Sequence, residues 1–248
     1  MTLADQALKL WQAGVAAVDG YNATQAALSD VPKPDRILAV GKPAASMARA
    51  ALDHFGPVPT LVVTKDDHGR DLPAEVEVIE ASHPVPDDRS LTGGRALREA
   101  TEAMRPGSHL LLLVSGGASS LAEDLIEGKT LSDLGALNRQ LLSEGLDITA
   151  MNAQRRKLSR IKGGGLLAHF RGARATVLAI SDVPGDDIHV IGSGIGALPD
   201  DPAFQAVTQI IAANAHARAA AVAAAESARL TVLAAEEPLV DDLLIMSA

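Results

Sequence analysis

The chain has 248 residues, 47% of them hydrophobic, so it is long enough to bury a substantial core as one large domain or two small ones. Aromatic residues make up only 2% and the net charge is −9, which argues against nucleic-acid partners, since base stacking needs aromatics and a polyanion needs a positive field. There are no cysteines, which excludes disulfides, thiolate nucleophiles and cysteine-based zinc sites. The N-terminus has early acids and no basic flank before an apolar run, and no apolar stretch approaches membrane-helix length. These features predict a soluble, cytoplasmic chain with no membrane partner.

In chain order, Leu3, Leu8, Trp11, Val15, Val18 and Leu28 fall near helical spacing, predicting one or two amphipathic helices ended by Pro32 and Pro34. Residues 36–40 (RILAV) read as a first strand, Gly41-Lys42-Pro43 as a turn and residues 44–55 as a helix rich in small residues. Strands are expected at 60–64 and 75–81, a stiff loop at 83–87 and a helix at 91–104, ended by Pro106-Gly107. Residues 110–121, LLLLVSGGASSL, run from five aliphatic side chains into a glycine-serine turn. The unbroken apolar run suits a strand buried on both faces of a parallel sheet. The turn's glycines, hydroxyls and free N–H groups suit an anion.

Helices are expected at 119–127 and at 131–144, with Ser132 as N-cap, followed by the most basic stretch, 151–165. A strand at 175–180 leads into the acidic loop 181–187, then come a glycine loop, a helix from Phe204 to about Arg229, and a last strand at 230–235. Strands alternating with helices predict an α/β protein, a doubly wound, mostly parallel Rossmann-like sheet with helices on both faces. Ligands of such sheets sit at the carboxyl ends of the strands. Three motifs fall there: Gly41-Lys42, Ser115 to Ser120, and Ser181 to Asp187.

Each motif has a functional and a structural reading. Lys42 is suited to neutralise a transferring phosphoryl group, or is a solvated lysine. Ser115, Gly116, Gly117, Ser119 and Ser120 form an anion cradle or a tight connection. They do not form a nucleophile elbow, because Gly-x-Ser-x-Gly is absent. Asp182, Asp186 and Asp187 suit Mg²⁺, or are ordinary turn residues. Arg155, Arg156, Lys157, Arg160 and Lys162, beside Asn152, are placed to grip carboxylate or phosphate, or form a solvated face. His83 reads as an exposed loop histidine before it reads as an acid/base.

Two textual matches fail on context. Gly192-Ser-Gly194-Ile-Gly196-Ala197 mimics a dinucleotide fingerprint but runs into Pro199 and Pro202 instead of a helix. Gly128-Lys129-Thr130 mimics a P-loop, but Glu123 stands where the first glycine belongs and a helix precedes it.

Together AVGKPAASMARA (39–50), EASHPVPD (80–87), LVSGGASSL (113–121), MNAQRRKLSRIKGG (151–164) and SDVPGDDIHVIGSG (181–194) resemble the glycerate 2-kinase family. That family has a DUF4147-type N-terminal domain and a C-terminal MOFRL domain, and often carries the label hydroxypyruvate reductase. The resemblance extends to about residue 220. It implies a Rossmann-like domain, a cleft against a second domain, and transfer of the ATP γ-phosphoryl group to the 2-hydroxyl of D-glycerate with Mg²⁺. On this reading Lys42 and Arg155 are catalytic. Ser115, Gly116, Gly117, Ser119, Ser120, Asn152, Arg160 and Lys162 bind substrate or phosphate, and Asp182 and Asp186 serve the metal.

The sequence departs from the family pattern at Gln154, Arg156, Lys157 and Gly165 and in the GSGIGALPDD loop. The expected division is a domain over 1–235 and a short tail over 236–248, without the second domain. An uncovered cleft face would favour a homo-oligomer. The alternatives are an NAD(P)H-dependent hydroxypyruvate reductase and a non-catalytic domain that binds a phosphorylated ligand.

Overall fold

A computed structural model describes residues 2–143 and 154–233. Its centre is one sheet of six parallel strands: β1 (Arg36–Val40), β2 (Thr60–Lys65), β3 (Glu77–Ala81), β4 (His109–Val114), β5 (Arg174–Ile180) and β6 (Gln205–Ala212). Their spatial order is β3-β2-β1-β4-β5-β6. The expected "mostly parallel" sheet is thus wholly parallel in its described strands. The order reverses between β1 and β4, the point at which open α/β sheets form their ligand crevice.

Every side chain of β4 is buried, because successive residues point to opposite faces and both faces are covered. Leu110, Leu112 and Val114 join Leu38 and Val40 of β1 in a core with Leu97, Leu121, Ile161 and Leu166. Leu111 and Leu113 join Ile37 and Ala39 in the opposite core with Met47, Ala48 and Leu52. A strand with no polar alternation is what this double burial requires.

The helices are α1 (Leu3–Ala17), α2 (Gly20–Ala27), α3 (Ala44–Phe55), α4 (Asp88–Glu102), α5 (Ala118–Leu121), α6 (Leu131–Ser143), α7 (Gly165–Ala168) and α8 (Asn214–Ser227). Asp19 separates the first two: its side chain accepts hydrogen bonds from the backbone N–H of Tyr21 and Asn22 and restarts the helix. Asp87 caps α4 in a reciprocal box with Ser90. Thr130, not Ser132, caps α6, its Oγ1 accepting from Asp133 N and its own N–H donating to the Asp133 carboxylate.

Three expectations are corrected. The helix expected from Phe204 begins only at Asn214, and Gln205–Ala212 is the edge strand β6. Val207, Thr208, Ile210 and Ile211 favour a strand, and the alanine run takes over only after residue 213. Residues 230–233 form no strand, and the rest of the strand expected there lies outside the described residues. The helix expected at 119–127 stops at Leu121. The chain beyond it is held instead by tertiary partners: Glu123 N donates to Ser90 O, Ile126 N donates to Leu158 O, and Leu125 bridges Ser159.

Candidate active site

The β1 and β4 ends meet where the sheet order reverses. Ser115 N donates to Val40 O and Lys42 N donates to Gly116 O, so the two strand-to-helix turns are laced together by backbone bonds. Thr64 Oγ1, at the end of β2, donates to the carbonyls of Gly41 and Lys42 and fixes the same turn from the other side. The lysine is therefore carried by three neighbouring strands.

Its ammonium lies 3.4 Å from Asp182 Oδ2, contributed by the loop after β5. Gly116 makes this approach possible, since a Cβ there would sit 1.9 Å from the same carboxylate oxygen. The next residue, Gly117, has φ +88, a backbone conformation that side-chain-bearing residues rarely adopt. A Cβ on it would lie 3.0 Å from Lys42 Cγ and 3.2 Å from His83 Nε2. The N–H groups of Gly116, Gly117 and Ser119 have no intramolecular acceptor among the described residues. Three unsatisfied donors on a tight turn form an anion-binding concavity.

A cavity of about 220 Å³ opens beside this turn, lined by Gly117, Ser119, Ser120, His83, Arg155 and Lys162. Ser119 Oγ lies 2.8 Å from Ser193 Oγ, which ties the turn to the glycine loop, while Ser120 Oγ donates to Gly117 O. Partial burial pushes the His83 pKa below the usual histidine value, with the Lys42 and Lys65 charges acting in the same direction. Burial also presses the Arg155 guanidinium pKa downward, but arginine stays charged in proteins. A second cavity, of about 560 Å³, lies against the loop after β5 and includes both Asp182 and Asp186.

The predicted residues do not all converge. Lys42, Gly116, Gly117, Ser119, Ser120, Arg155 and Asp182 come together at the strand ends. Asp186 joins Asp182 in the second cavity. Ser115 is fully buried against Gly41, so its hydroxyl is sealed from any ligand. Arg160 is exposed and does not line the first cavity; its backbone N–H donates to Asp124 O. Lys162 does reach the cavity wall, yet its ammonium is matched by the buried Glu123 carboxylate at 2.5 Å. Arg156 is a strut: it donates to His189 O and packs along Gly163. Asn152 lies outside the described residues.

A family model described as "Domain of unknown function (DUF4147)" matches residues 6–233. The chain belongs to the DUF4147 family. Its relatives include a putative hydroxypyruvate reductase of Agrobacterium vitis, 41% identical over 159 residues, which are 64% of this chain and 41% of that protein. They also include the D-glycerate 2-kinase of Thermotoga maritima, 36% identical over 71% of this chain and 43% of the relative. The crystal structure of a Thermotoga maritima glycerate kinase superimposes with a TM-score of 0.83 at 27% identity, over 91% of this chain and 63% of that one. The aligned segments thus cover less than half of these two sequence relatives, and the structural match covers 63% of the Thermotoga maritima chain.

One contributor to the DUF4147 site escaped sequence reasoning, and one is legible there. His83 is an exposed loop residue, as the sequence reads first, and the same loop after β3 brings it beside Gly117 and Lys42. Glu123 enters the sequence reading only as a failed P-loop position; its signal is a pair of acids, Glu123-Asp124, directly after the apolar pair Leu121-Ala122. No helix of the described residues is long and apolar enough to cross a membrane.

Proposed function

We propose that this chain takes part in ATP-dependent phosphoryl transfer to the 2-hydroxyl of D-glycerate, giving 2-phosphoglycerate. The observation that carries this reading is the Lys42–Asp182 pair at the sheet's reversal point, next to a small cavity walled by Arg155, Lys162, Ser119, Ser120 and Gly117. Relatives named glycerate 2-kinase support the same substrate class.

Phosphoryl transfer has a loose transition state with charge spread over the equatorial oxygens, so positioning and charge neutralisation supply most of the catalysis. Lys42 faces that charge. The Gly116, Gly117 and Ser119 N–H groups donate to phosphoryl oxygens, and Arg155 grips the glycerate carboxylate. The bond between the γ-phosphorus and the bridging oxygen of the nucleotide breaks as the substrate hydroxyl oxygen bonds to phosphorus. ADP leaves and the hydroxyl proton passes to solvent.

Among the described residues no group of three or more metal-ligating side chains exists, so there is no all-protein cage. Mg²⁺ does not need one: it takes one or two carboxylates plus water and phosphate oxygens, and Asp182 and Asp186 in one cavity fit that donor set. When bound there, Mg²⁺ supplies neutralisation of the nucleotide phosphates.

ADP release coupled to a spectrophotometric readout, with D-glycerate and Mg·ATP, tests the proposal. Turnover that falls on the order of 10²–10³-fold in Lys42→Ala is expected, the cost of removing one preorganised charge from a transition state. Absence of turnover in the wild-type chain, or its persistence in the variant, would sink the assignment.

The name carried by the Agrobacterium vitis relative favours a second reading, hydroxypyruvate reduction. It is the weaker one. In this strand order a dinucleotide fingerprint belongs after β1, where the chain reads Gly41-Lys42-Pro43-Ala44 with only one glycine. Gly192 and Gly194 sit in a buried 3₁₀ turn with no helix opening after it. Loss of NADH absorbance with hydroxypyruvate would restore this reading.

A further inference from the structure

The two cavities at the strand ends differ in size and in chemistry, and each adjoins one partner of the Lys42–Asp182 pair. Gly117, in the wall of the first, abuts Lys42 Cγ; Asp182 is in the wall of the second. The first, about 220 Å³, is lined by His83, Ser119, Ser120, Arg155 and Lys162. It lies below the roughly 300–1,000 Å³ typical of sites for drug-sized ligands, and its groups suit a carboxylate and hydroxyls. The second, about 560 Å³, falls inside that range. Val18, Ile180, Val183, Ala213 and Ala217 give it apolar walls, with the Asn214 amide as a directional polar group. Ser181, Asp182, Asp186 and Arg218 also line it, and mostly apolar walls with a few placed polar groups suit a purine ring with its ribose and phosphates better than a small acid.

We infer that the two substrates of the proposed transfer are divided between these cavities: the nucleoside of ATP sits in the Val18–Ile180–Asn214 cavity, and the hydroxy acid sits in the His83–Arg155–Lys162 cavity. The inference rests on the phosphotransferase reading above and adds to it a location for the donor. The nucleotide phosphates then leave their cavity past Asp182 and Asp186 and meet the acceptor hydroxyl at Lys42. In-line displacement needs the donor and acceptor oxygens on opposite faces of the phosphorus, and two separate cavities allow that. The γ-phosphoryl group passes from the ADP oxygen to the acceptor oxygen, with ADP remaining in its own cavity. The arrangement also explains why neither textual nucleotide motif is used: this nucleoside site is built from the ends of β5 and β6 and from the α1–α2 junction, not from a glycine loop.

Photolabelling of the full chain with 8-azido-ATP and Mg²⁺, followed by peptide mapping, locates the base. Adducts within residues 180–186 or 213–218, suppressed by excess ATP, are expected. In parallel, Ala215→Phe adds bulk at an exposed position lining the second cavity. It should weaken Mg·ATP binding by calorimetry at least tenfold and leave D-glycerate binding within twofold, with an unchanged melting temperature showing that the fold is intact. ATP that binds but labels residues 117–120 or 155–162, or binds equally well to the variant, overturns the division while sparing the phosphotransferase reading. A wild-type chain with no saturable ATP binding overturns both.

Discussion

Two lysine–carboxylate pairs flank the same turn, and they do different things. Lys42–Asp182 spans 3.4 Å with the side chains 41% and 48% exposed, whereas Lys162–Glu123 spans 2.5 Å with 2% and 0%. An exposed pair is worth about 0–1 kcal/mol because water already solvates both charges. Such a pair separates at little cost when a phosphate arrives between its partners. A buried pair costs several kcal/mol per ion to desolvate, and removal of one partner strands the other charge. The loose pair is therefore suited to ligand exchange. The tight one anchors the cavity wall, holding the segment before α7 against the segment after α5.

The largest effect that would break this comparison is expected at Glu123. Glu123→Ala leaves the Lys162 ammonium buried alone and should cost about 3–5 kcal/mol in urea unfolding. The double variant Glu123→Leu with Lys162→Met should recover most of that loss, because the packing returns without the charges. A Glu123→Ala loss within the range of a surface change would show that the pair is solvated after all.

Lys42→Ala sharpens the other half. Its stability should stay within about 1 kcal/mol of wild type while phosphoryl transfer falls, so one variant separates the two roles of a lysine. A drop in stability as large as that of Glu123→Ala would merge the two pairs into one class. An intermediate effect is expected for Gly117→Ala. It forces an L-residue into positive φ at about 1–2 kcal/mol and crowds Lys42 Cγ, so both stability and ligand binding should suffer.

The smallest effect lies at the opposite end of the sheet. His109 begins β4, with Nε2 2.9 Å from Thr176 Oγ1, and burial, helped by Arg174, pushes its pKa below 6.5. Below about pH 6.5 the unfolded chain binds a proton that the folded one resists. Stability therefore falls as pH falls through that window, and it is insensitive to this group above it. His83, also depressed, adds a slope of the same sign. His109→Gln should show a shallower loss of melting temperature between pH 7 and pH 5 than wild type. Parallel curves would show that the buried histidine titrates normally.

Much of the sheet was legible because its signals are local. RILAV, TLVVTK and HLLLLV are apolar runs bounded by turn residues, and a strand covered on both faces needs nothing else. Edge strand β6 was not legible: with six of its eight positions partly or fully open to solvent, it lacks the continuous apolar run, and the alanine helix beside it dominated the pattern. The site was legible as far as each motif ended a strand. What the motifs do to one another was not.

The sequence by itself determined the α/β class, the strand ends that carry Lys42, the glycine-serine turn and Asp182, because backbone periodicity and turn chemistry are short-range. Only the tertiary structure decided which hydroxyls and cations reach a ligand. Ser115 is sealed behind Gly41, Arg160 is exposed, Lys162 is claimed by Glu123, and His83 is brought back to Gly117. These outcomes depend on contacts across as many as 39 positions of chain in the Lys162–Glu123 pair and 140 in the Lys42–Asp182 pair. Burial and charge pairing at such separations are properties of packing, and no local residue pattern encodes them.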